Sequence, residues 1–244
     1  MPEILLLANI FFIIATVYSS AGFGGGSSYL ATLSLFPMAF QDIRLTALIC
    51  NVVVVCSSVL LFNKHKYIKW SRIVPLVILS IPLAYLGGKL LLAERSFFLL
   101  LGGSLLLASF AMIFDKREKV IEFPKFSNAA IGGGIGFLSG VVGIGGGIFL
   151  SPLLHLSSWG KPKVIAATSA IFILVNSLAG IAGQLVVNDI NIDPERLLIL
   201  AIAVFLGGQI GVRLTILKFN PLWVRRITAF VILIVSIRLL FKYL

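Results

Sequence analysis

Long apolar runs separated by short polar gaps set the pattern of this chain. Six runs have the length that a membrane-spanning helix needs, about 20 mostly apolar residues. The helices predicted from them cover residues 45–62, 73–92, 97–114, 164–187, 197–217 and 222–242. Because the longest polar stretch is only 115–127, the pattern predicts a single membrane domain over residues 1–244.

Two further apolar runs are too long for one helix and slightly short for two complete ones. Residues 4–41 contain no charge, and residues 126–160 contain no ionisable side chain except His155. A glycine cluster interrupts each run, at 22–26 and at 143–147. We interpret both runs as pairs of short or partly re-entrant helices joined by a glycine turn at membrane depth. Such a turn is tolerated only where protein or a water-filled cavity surrounds it.

The glycine clusters belong to an internal repeat. Gly-Phe-Gly-Gly-Gly at 22–26 recurs as Gly-Ile-Gly-Gly-Gly at 143–147, and Leu-Gly-Gly-Lys-Leu at 86–90 recurs as Leu-Gly-Gly-Gln-Ile at 206–210. Each half, 1–120 and 121–244, then holds one broken pair and three helices. If each broken pair counts as two segments, each half has five crossings. Since five is odd, the second half is expected to be inverted relative to the first. The predicted fold is an all-α integral membrane protein of two inverted repeats, each of about four to five transmembrane segments, with glycine-broken helices meeting near the midplane.

The distribution of charge orients this topology. If each broken pair leaves and returns on the same side, 14 of the 20 basic residues fall on one face, in segments 63–72, 115–127, 158–163 and 213–226. The positive-inside rule assigns that face to the cytoplasm and places both termini outside. Asp42 and Arg44 are interpreted as a helix-start pair on the outer side, where Asp42 suits the helix N-terminus. Lys89 is expected to reach the outer interface.

Composition excludes several functional classes. Only 12% of the residues are charged and 59% are hydrophobic, whereas a soluble domain has about 25% charged residues. The net charge of +11 lies in gaps between spans, so the chain does not bind nucleic acid, and membrane lipid is the expected partner of the basic face. We expect no cofactor or metal, because no nucleotide-binding motif or metal-ligand cluster occurs, and Cys50 and Cys56 lie in one apolar run.

A glycine turn that starts a helix exposes backbone N–H groups at the positive end of the helix dipole. With helices beginning near Ser27 and Ile148, the amides of 24–28 and 145–149 predict a site for a small anion that needs no formal charge. Nearby hydroxyl and amide side chains would complete it. The candidate substrate-binding residues are Gly24, Gly25, Gly26, Ser27, Ser28, Thr46, Asn51, Gly145, Gly146, Gly147, Thr168, Ser169 and Asn176.

Structural interpretations compete with this site. Glycines 132–134, 136 and 140 are better explained by close helix packing, either within one chain or between two. The hydroxyls of Thr46, Thr168 and Ser169 are each more often bonded to their own helix. For Asn51 and Asn176, a role in joining helices or in binding substrate is weighed equally with a purely structural role.

The motifs together resemble those of a known family. The doubled Gly-x-Gly-Gly-Gly, the Ala-Thr-Ser segment at 167–169 with Asn176 downstream, and Gly-Gly-x-x-Gly-x-Arg at 207–213 are similar to the TauE/SafE family. The resemblance covers the chain from end to end. It implies export of sulfite, sulfoacetate or a related organosulfonate across a bacterial cytoplasmic membrane.

The expected function is secondary transport of a small anion by alternating access. No Asp or Glu occupies the centre of a span, which disfavours a proton relay and favours export driven by the membrane potential. An anion channel with the same donors is the alternative. A membrane-embedded enzyme is disfavoured, since only His155 and scattered serines offer reactive groups. A homodimer is the expected oligomer, as in many inverted-repeat carriers.

Overall fold

The computed structural model describes residues 2–90, 93–114, 125–157, 159–187 and 192–217, with part of 226–243. Over these residues the chain forms helices and no strand. The helices are α1 (Pro2–Ser20), α2 (Gly26–Leu33), α3 (Phe40–Lys64), α4 (Trp70–Lys89), α5 (Glu94–Phe114), α6 (Lys125–Val142), α7 (Gly147–Leu156), α8 (Pro162–Leu185) and α9 (Pro194–Leu217).

The predicted all-helical membrane fold is confirmed. Five of the described helices, α1, α3, α4, α8 and α9, are long and apolar enough to cross a membrane. Large apolar side chains such as Leu60 and Leu107 are about three-quarters exposed, at 73% and 74%. Lipid tails are as apolar as these side chains, so such exposed surfaces are expected for a multi-pass membrane protein.

Helix ends differ from the predicted boundaries by a few residues. The helix predicted at 45–62 runs from Phe40 to Lys64, because helical hydrogen bonding continues through polar residues at the edge of the apolar run. The helix predicted at 73–92 begins earlier, at Trp70, and ends at Lys89. The sixth predicted span, 222–242, lies mostly outside the described residues.

Both over-long runs divide into two helices, as predicted. α1 and α2 are separated by residues 21–25, and α6 and α7 by residues 143–146. α2 and α7 begin at Gly26 and Gly147, each one residue before its predicted start. The N-cap glycines Gly25 and Gly146 have φ values of 94° and 79°. Only glycine adopts this left-handed conformation without steric cost, so these glycines set the helix starts.

Glycines of α6 form a flat face against α4. Gly132, Gly136 and Gly140 lie directly over the backbones of Leu76, Ser80 and Ala84, respectively. The equal steps of four residues on both helices show that α4 and α6 run in the same direction. The packing interpretation of these three glycines is therefore confirmed, and the contact lies within one chain. A methyl group on the neighbouring Gly134 would meet nothing within 4 Å.

The second half contributes the matching contact. Gly207 lies over Phe12 and Gly211 over Thr16, so α1 and α9 also run in the same direction. The hydroxyl of Ser19 donates to the carbonyl of Gly208 at 3.2 Å. The fourth helix of each half thus packs against the first helix of the other half.

The long helices α3 and α8 lie between these pairs and run in opposite directions. The Asn51 side chain on α3 donates to the Ser177 hydroxyl on α8 at 3.3 Å. Phe62, eleven residues later on α3, packs in one cluster with Ala166, eleven residues earlier on α8. This antiparallel contact forms the centre of the fold.

Matched alanine variants on α6 test the packing of the glycine face. Gly136→Ala would place a methyl carbon 2.5 Å from the Ser80 carbonyl oxygen, and overpacking of this kind costs about 1–3 kcal/mol of unfolding free energy. Gly134→Ala should raise the unfolding free energy by a few tenths to about 1 kcal/mol, because alanine favours a helix. Unfolding in mixed micelles measures both, and equal effects would contradict the packing.

Candidate functional site

The two glycine breaks are buried in the centre of the fold. Residues 22–30 and 141–148 are all buried, although they include irregular backbone. Left-handed φ values occur at Gly22, Gly143 and Gly145 as well as at the two N-caps. The polar groups of this backbone must therefore find partners within the protein.

Asn51 joins the two breaks. Its side-chain oxygen accepts from the N–H of Gly26 at 3.2 Å, at the start of α2. Its side-chain nitrogen donates to the carbonyl of Ile144, in the second break, at 3.1 Å, and to Ser177 on α8. One fully buried amide thus connects α2, α3, α8 and the break before α7.

Both breaks depend on glycine to approach Asn51. A methyl group on Gly24 would overlap the Asn51 side-chain oxygen, and one on Gly145 would lie 2.6 Å from its nitrogen. A methyl carbon on Gly26 would lie 3.3 Å from the Cα of Ile144, so the two breaks also touch each other directly. The structure therefore brings together four of the candidate residues, Gly24, Gly26, Asn51 and Gly145.

The contact lies halfway along the central helices. Asn51 is the twelfth of the 25 residues of α3, and Ile173, which packs on Gly145 and Gly147, is the twelfth of the 24 residues of α8. If α3 and α8 span the bilayer, the breaks meet close to its middle.

The helix starts offer backbone donors beside this contact. The N-cap residues of α2 and α7 are Gly25 and Gly146, which have no side chain to accept hydrogen bonds from the first N–H groups of the helix. Among the described residues, no acceptor takes a hydrogen bond from the N–H groups of Ser27 and Ser28, or from those of Gly147 and Ile148. Gly26 differs, because Asn51 already occupies its N–H. Two short helices therefore direct N–H groups and positive dipole ends into the centre of the protein.

The predicted hydroxyl and amide side chains divide into two groups. Thr168 donates to the Val164 carbonyl at 2.8 Å, and the Asn176 nitrogen donates to the Phe172 carbonyl at 2.8 Å, both within α8. In contrast, the buried hydroxyls of Ser27, Thr46 and Ser169 have no hydrogen-bond partner among the described residues. Ser28 donates to the hydroxyl of Tyr18 at 2.7 Å.

Sequence reasoning missed several side chains that line the breaks. Tyr18 receives the Ser28 hydrogen bond, Tyr29 stacks on Phe11 with ring centroids 4.5 Å apart, and Ser177 bonds Asn51. Helical periodicity provides a signal for Ser177, since it lies two turns after the candidate residue Ser169 on the same helix. The tyrosines follow no glycine motif, so only the fold reveals them.

Arg44 occupies an unexpected position. The side chain, predicted to belong to a helix-start pair on the outer side, is 1% exposed. Its terminal Nη2 donates to the carbonyls of Gly140 and Val141 at 3.1 and 2.9 Å, and Nη1 donates to the Leu90 carbonyl at 3.5 Å. These carbonyls end α6 and α4, where a cation is favourable. The sequence did not reveal these acceptors because they lie on other helices.

The position of Arg44 gives it electrostatic reach into the site. Seven residues separate it from Asn51 on α3, which is about 10 Å along the helix. With an effective dielectric constant of about 20, one unit charge at this distance would stabilise a monovalent anion, if one bound there, by about 2 kcal/mol. Among the described residues, no group of three or more His, Cys, Asp and Glu side chains exists that could hold a metal ion.

Comparison with known proteins identifies the family of this chain. The profile of the family described as Sulfite exporter TauE/SafE matches residues 7–239. This chain belongs to the TauE/SafE family. It is 34% identical over 245 residues to the probable membrane transporter protein y4hK of Sinorhizobium fredii, covering 98% of both chains.

A second relative of this TauE/SafE chain is more distant. The probable membrane transporter protein YunE of Bacillus subtilis is 27% identical over 237 residues, which cover 84% of this chain and 86% of YunE. No solved structure shows a significant match. The resemblance found in the glycine motifs is confirmed, and the protein is a membrane transporter.

Alanine substitutions test whether Asn51 holds the breaks together. Asn51→Ala leaves the N–H of Gly26 and the carbonyl of Ile144 buried without this partner, and should lower the unfolding free energy by about 2–4 kcal/mol. Asn176→Ala is the matched control, because the Asn176 side-chain nitrogen donates within α8, to the Phe172 carbonyl, and the substitution should cost about 1 kcal/mol. Equal losses in micelle unfolding would show that Asn51 does not link the breaks.

Proposed function

We propose that this TauE/SafE protein is a secondary transporter of a small anion that works by alternating access. The observation that carries the proposal is the link through Asn51, which joins two broken helical pairs halfway along α3 and α8. Transporters built from inverted repeats bind their substrate at this level, where discontinuous helices meet.

The chemistry of the breaks favours an anion. The N–H groups of Ser27, Ser28, Gly147 and Ile148 and the hydroxyls of Thr46 and Ser169 provide donors, and the α2 and α7 dipoles add positive potential. Neutral donors also permit release, since they hold an anion less firmly than an ion pair would. Given the family description, we propose sulfite, sulfoacetate or a related organosulfonate as the substrate.

The arrangement of helices supports an inverted repeat. α3 and α8 occupy equivalent positions in the two halves and run in opposite directions. α2 begins beside Asn51, and six residues connect its end to the start of α3, so the α1–α2 pair returns to the side on which α3 begins. The α6–α7 pair returns in the same way to the side on which α8 begins. Each pair thus approaches the centre from its own side.

Burial suggests what must move during transport. Both breaks are buried, so neither face of the protein reaches them in this conformation. Opening toward one side requires the two breaks to separate, and the Asn51 hydrogen bonds are the contacts between them that must break. Neutral hydrogen bonds contribute only about 1 kcal/mol each, which allows a reversible opening.

The membrane potential provides a sufficient driving force for export. Among the described residues, no buried side chain is Asp or Glu, so the site contains no buried carboxylate to carry a proton. An anion that leaves a cell with a negative interior gains about 2.3 kcal/mol per charge per 100 mV. We propose export by this force from the cytoplasm across a bacterial inner membrane.

Calorimetric titration of the purified protein tests the substrate class. The panel is sulfite, sulfoacetate, sulfate, taurine and chloride, and binding of sulfite or a sulfonate is expected. Gly24→Ala should reduce that affinity tenfold or more, because its methyl group displaces Asn51 while its backbone remains outside the left-handed region. Gly134→Ala is the control and should bind as the wild type does. Failure of all five compounds to bind would refute the substrate proposal.

Proteoliposomes test the mechanism. Flux of the bound anion should follow an imposed potential, saturate with concentration and show counterflow, because a carrier returns its site after each release. Gly146→Leu should abolish the flux while still inserting into the membrane. Flux that requires a pH gradient and ignores the potential would overturn potential-driven export, and flux without counterflow would indicate a channel.

A further inference from the structure

Arg44 stands out because its charge is buried. Among the described residues that are buried, it is the only Lys, Arg, Asp or Glu. It belongs to α3, a helix long and apolar enough to cross the membrane. Ionisable residues inside membrane segments are costly and commonly line the path of an ion or substrate.

The guanidinium lies beside the second glycine break. A methyl carbon on Gly143 would be 3.6 Å from the Arg44 Nε and 3.8 Å from the Gln184 side-chain nitrogen. Three carbonyls at the ends of α4 and α6 orient the head group at this position. They hold the Nη atoms of the guanidinium close to the break.

The other half of the repeat shows that a break does not require this arginine. Gly22 is the equivalent of Gly143, and a methyl carbon on Gly22 would lie 2.6 Å from Ala166 on α8. Ala166 therefore occupies the position that Arg44 has in the first half. The α1 break forms beside an alanine, so a cation at this place is not a general need of the fold.

We propose that Arg44 determines how strongly the transporter prefers divalent over monovalent anions. Its fixed charge, about 10 Å from the contact between the breaks, attracts an anion in proportion to the charge of that anion. The inference rests on the proposed function, since it assumes that an anion binds between the breaks. It adds a formal charge to a site otherwise made of neutral donors.

The test measures the ratio of two affinities. Sulfoacetate, a dianion, and methanesulfonate, a monoanion, are titrated calorimetrically into wild type and Arg44→Gln. The variant should lose about tenfold in affinity for methanesulfonate and about a hundredfold for sulfoacetate, so that the ratio falls about tenfold. Equal losses for both anions would assign Arg44 a purely structural role and overturn the proposal, as would unchanged affinities.

Two further variants separate charge from folding. Arg44→Lys keeps the charge but offers a single ammonium to three carbonyls, so it should retain the wild-type ratio even if its melting temperature falls. If Arg44→Gln does not fold, Arg44→Lys still tests the proposal, because a lowered ratio of the two affinities in that variant would overturn it. Lys89→Gln is the matched control, because Lys89 lies 4.8 Å from the Tyr85 ring at the end of α4 and is partly exposed. It should leave the ratio unchanged.

The same titrations distinguish failure of the inference from failure of the proposed function. Wild type that binds neither sulfonate would refute the anion site itself, and the role of Arg44 with it. Wild type that binds both, with a ratio independent of the charge at position 44, would leave the anion site standing and refute only the inference.

Discussion

The fold depends on one buried side-chain amide, that of Asn51, which provides hydrogen-bond partners to both glycine breaks at once. Irregular backbone inside a membrane protein survives only where its polar groups find partners. Asn51 supplies both kinds of partner, an acceptor for the α2 start and a donor for the second break. Glycine is required on both sides because any side chain at Gly24 or Gly145 would enter the space that the amide occupies. Helix start, helix break and central contact are therefore one constraint.

The two halves share a plan and differ in the side chains that face the centre. Ile173 in the second half packs on Gly145 and Gly147, where Asn51 in the first half contacts Gly24 and Gly26. Arg44 and Ala166 form the second unequal pair. The polar and charged groups at these places thus all come from α3. The equivalent positions of the two halves therefore carry different chemistry.

Much of this arrangement was predictable, because a membrane requires long apolar helices and a helix break then appears as an interruption in an apolar run. Apolar length located the spans, and glycine clusters in over-long runs located the breaks within one residue of their helix starts. The role of Asn51 was predicted only in part: an amide in an apolar run indicated a buried partner but not which one. The helix start at Asp42 and Arg44 was predicted, but the burial of the Arg44 side chain was not, because hydropathy considers one helix at a time. Its acceptors are carbonyls of α4 and α6, which lie far away in the sequence.

The glycine faces have a consequence for how the two halves of the chain depend on each other. α4 fits against α6, and α9 against α1, through backbone contacts that no larger side chain would permit. Each half therefore lends its fourth helix to the other, in the manner of a domain-swapped dimer whose subunits have been fused. A half on its own would expose two faces shaped for helices that it does not possess. The repeat can be read from the sequence, yet in the structure each half packs its fourth helix on the first helix of the other half.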